Sequence, residues 1–401
     1  MSVDTKTAIV LDKSLESKLQ INFNVTLHAL ACRYASLDIA DVMGTHLQNV
    51  TSNIIKTRID RDGRVLGRAA KDAKKLVYAE PRGAPEHVPQ VSPELSQKDF
   101  MSAVTAKKLV MVNFYAPWCP WSRRLTPVWE EAFHEIMKTP EGNDVSFGKV
   151  DCTGQEGQDL CQAQHVHAFP TIKIYRRHNP HSREQYVGDR THEALEKFVL
   201  ENVHDADASE ALREGDSEMG GDGEGCTMRG VVFVNRVPGN FHISAHSRSH
   251  SFQPGRLNMS HTVGYMSFGR MLSPAQTRLL PKEVANGFSV LANSAHLALV
   301  QNTTLEHYLK VVHTTYQLSR GKLLDTYQYT VNNNNYQDGA SLPSAVFSYD
   351  LSPMQVVVTE EREAFASFLT QICAIIGGVF TVTGLLDSVV YHAISGAKKL
   401  S

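Results

Sequence analysis

Lys108-Leu109-Val110-Met111-Val112-Asn113-Phe114-Tyr115 is an almost unbroken apolar run, and it leads directly into Ala116-Pro117-Trp118-Cys119-Pro120-Trp121-Ser122. A run of that kind, without polar alternation, reads as a strand of the parallel type covered on both faces. A helical segment follows from Arg123 to Met137. Cys119 is therefore placed where a strand ends and a helix begins. Unpaired backbone N–H groups and the helix dipole favour thiolate over thiol at such a position. Thiolate is the form that attacks disulfides. Pro120 suits a first helical turn, whereas Pro127 is expected to kink the helix. Downstream, Ala168-Phe169-Pro170-Thr171 precedes the apolar strand Ile172-Lys173-Ile174-Tyr175, and Asp189-Arg190-Thr191 is expected to open a closing helix that reaches Asn202.

Outward from this unit the chain changes character. Residues 80–95 carry four prolines, and residues 204–225 are acidic and rich in glycine. Both read as linkers, which leaves a compact α/β domain over 96–203. Before it, Leu19-Gln20-Ile21-Asn22-Phe23-Asn24-Val25 alternates apolar and polar at the period of a strand, as does part of Tyr34 to Val42. After it, strand-like runs return at Gly230–Val234, Leu323–Val331 and Gln355–Val358. The expected architecture is an α/β domain inserted in a β-rich sandwich, whose halves occupy 1–79 and 226–363.

The 401 residues suit two or three domains, and 42% hydrophobic content excludes a disordered chain. With 40 basic and 42 acidic residues, the net charge of −2 gives no pull toward nucleic acid, and no nucleic-acid module is evident. Phe365 to Leu386 is a stretch of 22 residues without a charge. At about 1.5 Å per residue it spans a hydrocarbon core of roughly 30 Å, so 364–392 is expected to be a transmembrane helix in the lipid bilayer. Glu360-Glu361-Arg362-Glu363 before it and Lys398-Lys399 after it place the tail, 393–401, in the cytosol and the body in the lumen. Four sequons, at Asn24, Asn49, Asn258 and Asn302, agree with a lumenal body as glycosylation candidates. Residues 1–20 show neither a signal peptide nor a first membrane helix. Either such a segment precedes Met1 or the topology is inverted.

Over 97–203, the order strand, WCPWS, helix, proline, strand, helix strongly resembles the thioredoxin domain of protein disulfide isomerases. The resemblance implies that Pro170 is cis and faces the thiol, with Trp118, Pro120 and Trp121 flanking it. The family motif is Cys-x-x-Cys, and here its last position is Ser122. Cys119 alone can join a client as a mixed disulfide, but without a resolving thiol it cannot expel that client by forming its own disulfide. Dithiol turnover is therefore expected to be weak, with isomerisation or client capture left open. Related domains often join cysteines at the positions of Cys152 and Cys161; the alternative is that one of them resolves Cys119. His165 and His167 flank the strand before Pro170, either capping a loop or tuning Cys119.

Val237-Pro238-Gly239-Asn240-Phe241-His242-Ile243, Asn258-Met259-Ser260-His261-Thr262-Val263 and Phe347-Ser348-Tyr349-Asp350-Leu351-Ser352-Pro353 resemble the lumenal domain of the ERGIC/Erv cargo receptors. A thioredoxin domain inserted in that frame resembles the plant and protist isomerase-like proteins fused to ERV domains, which carry a membrane helix before the first strand. In an oxidising lumen Cys32 and Cys226 are expected to pair, one connectivity among many. The closing Lys398-Lys399-Leu400-Ser401 resembles a dilysine retrieval signal read by the vesicle coat. His242, His246, His250 and His261 fit no compact zinc pattern and read as a solvated loop, so no metal or cofactor is expected.

These features imply an isomerase-like protein of the endoplasmic reticulum membrane, cycling to the Golgi and acting by monothiol exchange or client retention. Its partners would be proteins with thiols or disulfides, and ERV-family oligomers. The alternative is a cargo receptor whose thioredoxin domain only binds.

Overall fold

The protein is described by a computed structural model over residues 3–12, 17–69, 76–78, 91–176, 179–180, 184–203, 223–280, 287–318, 321, 323–339, 341–362 and 365–398. The alternation at residues 19–25 becomes a central strand, Lys18–Leu27, which turns Leu19, Ile21, Phe23, Val25 and Leu27 inward. It pairs antiparallel with Gly225–Asn235 on one side and His261–Phe268 on the other, within a six-stranded sheet. A seven-stranded sheet faces it, built around the long strand Ser344–Arg362. That strand runs parallel to Thr304–Gln317 and antiparallel to Gly239–Ala245 and Val3–Leu11. One apolar core joins the sheets, with the Phe241 ring stacked on Phe347 at 4.8 Å and tilted against Phe23 at 5.6 Å. Each such side chain removed from water stabilises the sandwich by about 1.5–3 kcal/mol.

The chain leaves the sandwich after Val65–Arg68 and re-enters at Gly225–Asn235, which lies between Lys18–Leu27 and Ile54–Ile59. A disulfide between Cys32 and Cys226 (S–S 2.02 Å) closes the excursion. The last residues of the stretch read as an acidic linker belong to this sheet, since Gly225 begins a strand and Glu224 pairs with Arg58 at 2.5 Å.

Inside the excursion, Leu109–Tyr115 lies in a four-stranded sheet, parallel to Val145–Asp151 and antiparallel to Thr171–Arg176. The helices Pro120–Lys138 and His192–Val203 supply Leu125, Trp129, Leu195 and Val199 to one face of it, and Gln97–Thr105 and Gln155–Ala163 supply Phe100, Val104 and Leu160 to the other. The apolar run is thus covered on both sides, although its sheet is mixed rather than parallel. The helix after Cys119 continues through Pro127. The closing helix starts at His192, not at Asp189, because Arg190 is drawn into a bridge with Tyr78.

Residues 91–95, read as the end of a proline-rich linker, are an edge of this domain. Glu94 bridges to Lys149, and the Ser92 amide and hydroxyl donate to Glu130 at 2.8 and 2.7 Å. Glu130 also takes the Lys149 ammonium at 3.1 Å, with both groups buried. Burial acts to raise the Glu130 carboxyl, but the Ser92 bonds and Lys149 outweigh it and hold it below the usual range. Lys149→Met would leave that carboxylate buried without its counter-charge and is expected to destabilise the domain by about 3 kcal/mol, with Glu130→Leu added to it recovering most of the loss. Urea denaturation of the two variants checks this.

The histidines are not a solvated loop. His242 belongs to the strand Gly239–Ala245, His250 packs edge-on to Tyr34 at 5.4 Å, and only His246 of the four is exposed. His261, 0% exposed, points its Nε2 at His307 Nε2 across 3.0 Å, while His296 lies 4.3 Å from the His307 ring. Polar residues at inward strand positions are paired with one another here, which a single sequence does not display. Burial drives His261 down to about 3 and His307 down to about 4. Unfolded histidine titrates near 6.5, so the unfolded chain binds more protons below that value, and stability present above pH 6.5 is lost on acidification. His261 alone is expected to remove about 2 kcal/mol between pH 7 and pH 5. Denaturation midpoints at the two pH values would expose an error, since equal stabilities contradict the linkage.

Phe365–Lys398 is one helix, and its stretch Phe368–Val390 (23 residues, mean hydropathy 1.9) is uncovered by protein and long and apolar enough to cross a membrane. Lys399, the Lys398 side chain and the linker stretches 79–90 and 204–222 lie outside what the structure describes.

Candidate thiol site

The Leu109–Tyr115 strand delivers its C-terminal end to a tight turn in which the Cys119 amide donates to Ala116 O at 3.0 Å. Cys119 is the N-cap of the helix Pro120–Lys138, and its carbonyl takes the first helical bond, from the Arg123 amide, at 3.1 Å. Proline fits at position 120 because the first helical residue has no carbonyl to reach. The Cys119 Sγ–H donates to Phe169 O at 3.3 Å, and the Phe169–Pro170 peptide is cis. Thiol and cis-proline loop, fifty residues apart in the chain, therefore meet at hydrogen-bond distance. Cys119 has no exposed surface.

The flanking residues divide between solvent and core. Trp118 is half exposed and sets its ring edge-on to Phe169 at 6.0 Å. Trp121 packs between Tyr78, at 5.1 Å, and the Arg124 guanidinium, also at 5.1 Å. Ser122 is buried and its Oγ accepts the Ala116 amide at 3.4 Å, so a hydroxyl occupies the position from which a resolving thiol would act. Cys152 and Cys161 are joined to each other (S–S 1.97 Å). That leaves neither sulfur to resolve Cys119, and the alternative in which one of them does so is set aside. The free thiols are Cys119 and Cys373, the latter on the exposed apolar helix.

His167 does not bring charge to the thiol. Burial drives it down to about 4, and its Nδ1–H donates to Arg256 O at 3.0 Å, across the boundary with the β domain. Three residues at this site escape a reading of the sequence. Arg190 is buried with its guanidinium 5.4 Å over the Tyr186 ring, and its Nε and Nη1 have no hydrogen-bond partner among the described residues. Tyr78, pushed up to about 12 by burial, donates its hydroxyl to Ser249 O at 2.8 Å. Arg256 sends its guanidinium to Cys152 O and Val166 O at 3.1 and 3.3 Å. Tyr78 and Arg256 act across sequence separations that local patterning does not reach, and so does Arg190 in its bridge to Tyr78.

The model of the thioredoxin family matches residues 91–201, that of the endoplasmic reticulum vesicle transporter residues 197–387, and that of the Endoplasmic Reticulum-Golgi Intermediate Compartment (ERGIC) residues 1–48. Protein disulfide-isomerase 5-4 of Arabidopsis thaliana is 36% identical over 438 residues, an alignment covering 100% of this chain and 88% of the relative. The chain belongs to the protein disulfide isomerase-like family that joins a thioredoxin domain to an ERV domain. This isomerase-like chain is also similar to the probable endoplasmic reticulum-Golgi intermediate compartment protein 3 of Dictyostelium discoideum, 27% identical over 99% of the chain and 85% of the relative. It is similar, too, to endoplasmic reticulum-Golgi intermediate compartment protein 1 of Danio rerio, 38% identical over 182 residues that cover 44% of the chain and 60% of that protein. The isomerase-like protein belongs to a membrane of the early secretory pathway.

Proposed function

We propose that the protein exchanges disulfides with lumenal clients through Cys119 as a single thiol. The supporting observation is the pairing of a helix-capping cysteine with the Phe169 carbonyl, in a domain whose other two cysteines are joined to each other. The Cys119 thiolate attacks one sulfur of a client disulfide, forming a mixed disulfide and releasing the other client sulfur as a thiolate. With a hydroxyl at Ser122, no internal thiol displaces the client. The adduct ends when a client thiol attacks it, which regenerates Cys119 and leaves the client's disulfide rearranged with no net oxidation. Purified full-length protein incubated with scrambled ribonuclease tests this. Reactivation that disappears in Cys119→Ala supports the reading, and equal reactivation by the two proteins ends it.

The same reading places the body in the endoplasmic reticulum lumen, anchored in the bilayer by Phe368–Val390. Lys398 and Lys399 would return the protein from the Golgi through the vesicle coat, with ERV-family oligomers as its travelling form. Of the four sequons, Asn49 is exposed and suits a glycan. Asn24 suits one less well, since it is half-buried in a central strand with its Oδ1 covered. Asn258 and Asn302 are half-buried. A second reading, a cargo receptor in which the thioredoxin domain only binds, gains weight from the complete burial of Cys119.

A further inference from the structure

A thiol that exchanges with clients has to meet them, yet Cys119 is covered. Its packing neighbours are of its own domain, but a segment of the other domain lies along the edge that carries its hydrogen-bond partner. Ser251–Phe252 pairs antiparallel with Ala168–Phe169 in a two-stranded sheet of its own, with Ser251 opposite Phe169 and Phe252 opposite Ala168. Phe169 is the residue whose carbonyl takes the Cys119 Sγ–H. Directly opposed residues of an antiparallel ladder lie about 4.5–5.5 Å apart at Cα and turn their side chains to the same face. Any extended polypeptide paired at this edge therefore brings the residue opposite Phe169 beside the thiol. Here that residue is Ser251, which has the shape of cysteine and no sulfur to exchange.

The segment is held at both ends. Ser249 O takes the Tyr78 hydroxyl, and Tyr78 is packed on Trp121 of the motif. Tyr34 meets Phe252 edge-on at 5.3 Å. At the far end the Arg256 guanidinium lies 5.6 Å over the Phe169 ring while it bonds Cys152 O and Val166 O, and its own carbonyl is held by His167. Open sheet edges recruit extended chains, and this one is already occupied.

We propose that residues 249–256 form an internal strap over the client edge of the thioredoxin domain, and that an extended client polypeptide reaches Cys119 by displacing it. The inference rests on Cys119 being the exchanging thiol and specifies when that thiol is available. A ladder of two residues is short enough to be exchanged for a longer client strand. The strap also reconciles a buried sulfur with an exchange role.

The test is the alkylation rate of Cys119 in the full-length protein in detergent, on a Cys373→Ala background that removes the other free thiol. Labelling of a covered group follows the open population, so wild-type Cys119 is expected to react at least about 100-fold more slowly than in urea, and Phe252→Ala and Arg256→Ala each to raise the native rate about 10-fold. A wild-type rate equal to that in urea overturns the strap whatever the variants do. So do unchanged variant rates in protein whose peptide map shows both disulfides intact. Alkylation needs no client, which separates the two ideas. Faster labelling without client adducts keeps the strap and sinks the exchange role; adducts on an already open Cys119 do the reverse.

Discussion

Ser122→Cys is expected to turn a client-holding thiol into a dithiol catalyst, raising insulin reduction at least about 100-fold over wild type because an intramolecular attack replaces a bimolecular one. The two positions lie one helical turn apart, a spacing at which side chains face each other and a disulfide closes without moving the backbone. The site is prepared for the change. Ser122 is buried one turn below Cys119, and its hydroxyl makes one long bond, to the Ala116 amide, that a thiol can forgo at small cost. The introduced thiol attacks Cys119 in the mixed disulfide and expels the client as a thiolate; two electrons pass from the domain to the client, and an added reductant returns them. Mixed disulfides should fall as turnover rises. A variant that forms the new disulfide yet reduces insulin no faster than wild type would contradict the role given to Ser122.

Cys226→Ala is expected to cost the β domain about 5 kcal/mol, because the Cys32–Cys226 bond removes the closure entropy of a very long loop from the unfolded chain. The two cysteines are 194 residues apart, and the whole thioredoxin domain lies between them. The Cys152–Cys161 bond, across a separation of 9, should contribute only about half as much by the same relation. Urea denaturation of Cys226→Ala and Cys161→Ala under non-reducing conditions gives the comparison. The reverse order of losses would show that the long bond does not anchor the excursion.

Local patterns in the chain carried most of the fold. The alternation of Leu19, Ile21, Phe23 and Val25, the apolar run before Cys119 and the uncharged stretch after Phe365 each reflect a single element meeting a single environment, and each lies in the element its pattern suggests. What failed depended on partners far along the chain. Ser92 looks like linker until Glu130 and Lys149 are folded against it. His261 looks solvated because its partner is His307, and Arg190 looks helical until Tyr78 draws it into a bridge. The position of Cys119 before a helix was legible, but its covering was not. Nothing in Ser251–Phe252 hints at pairing with Ala168–Phe169, since a two-residue ladder leaves no periodic trace.

The most direct measurement takes the protein from its own membranes after thiols have been quenched by rapid alkylation, and resolves it on a non-reducing gel. Heavier species that collapse with reductant, are absent in Cys119→Ala and map by mass spectrometry to Cys119 joined to a secretory polypeptide are what the monothiol account predicts. A ladder unchanged in Cys119→Ala, or no ladder at all, would contradict it.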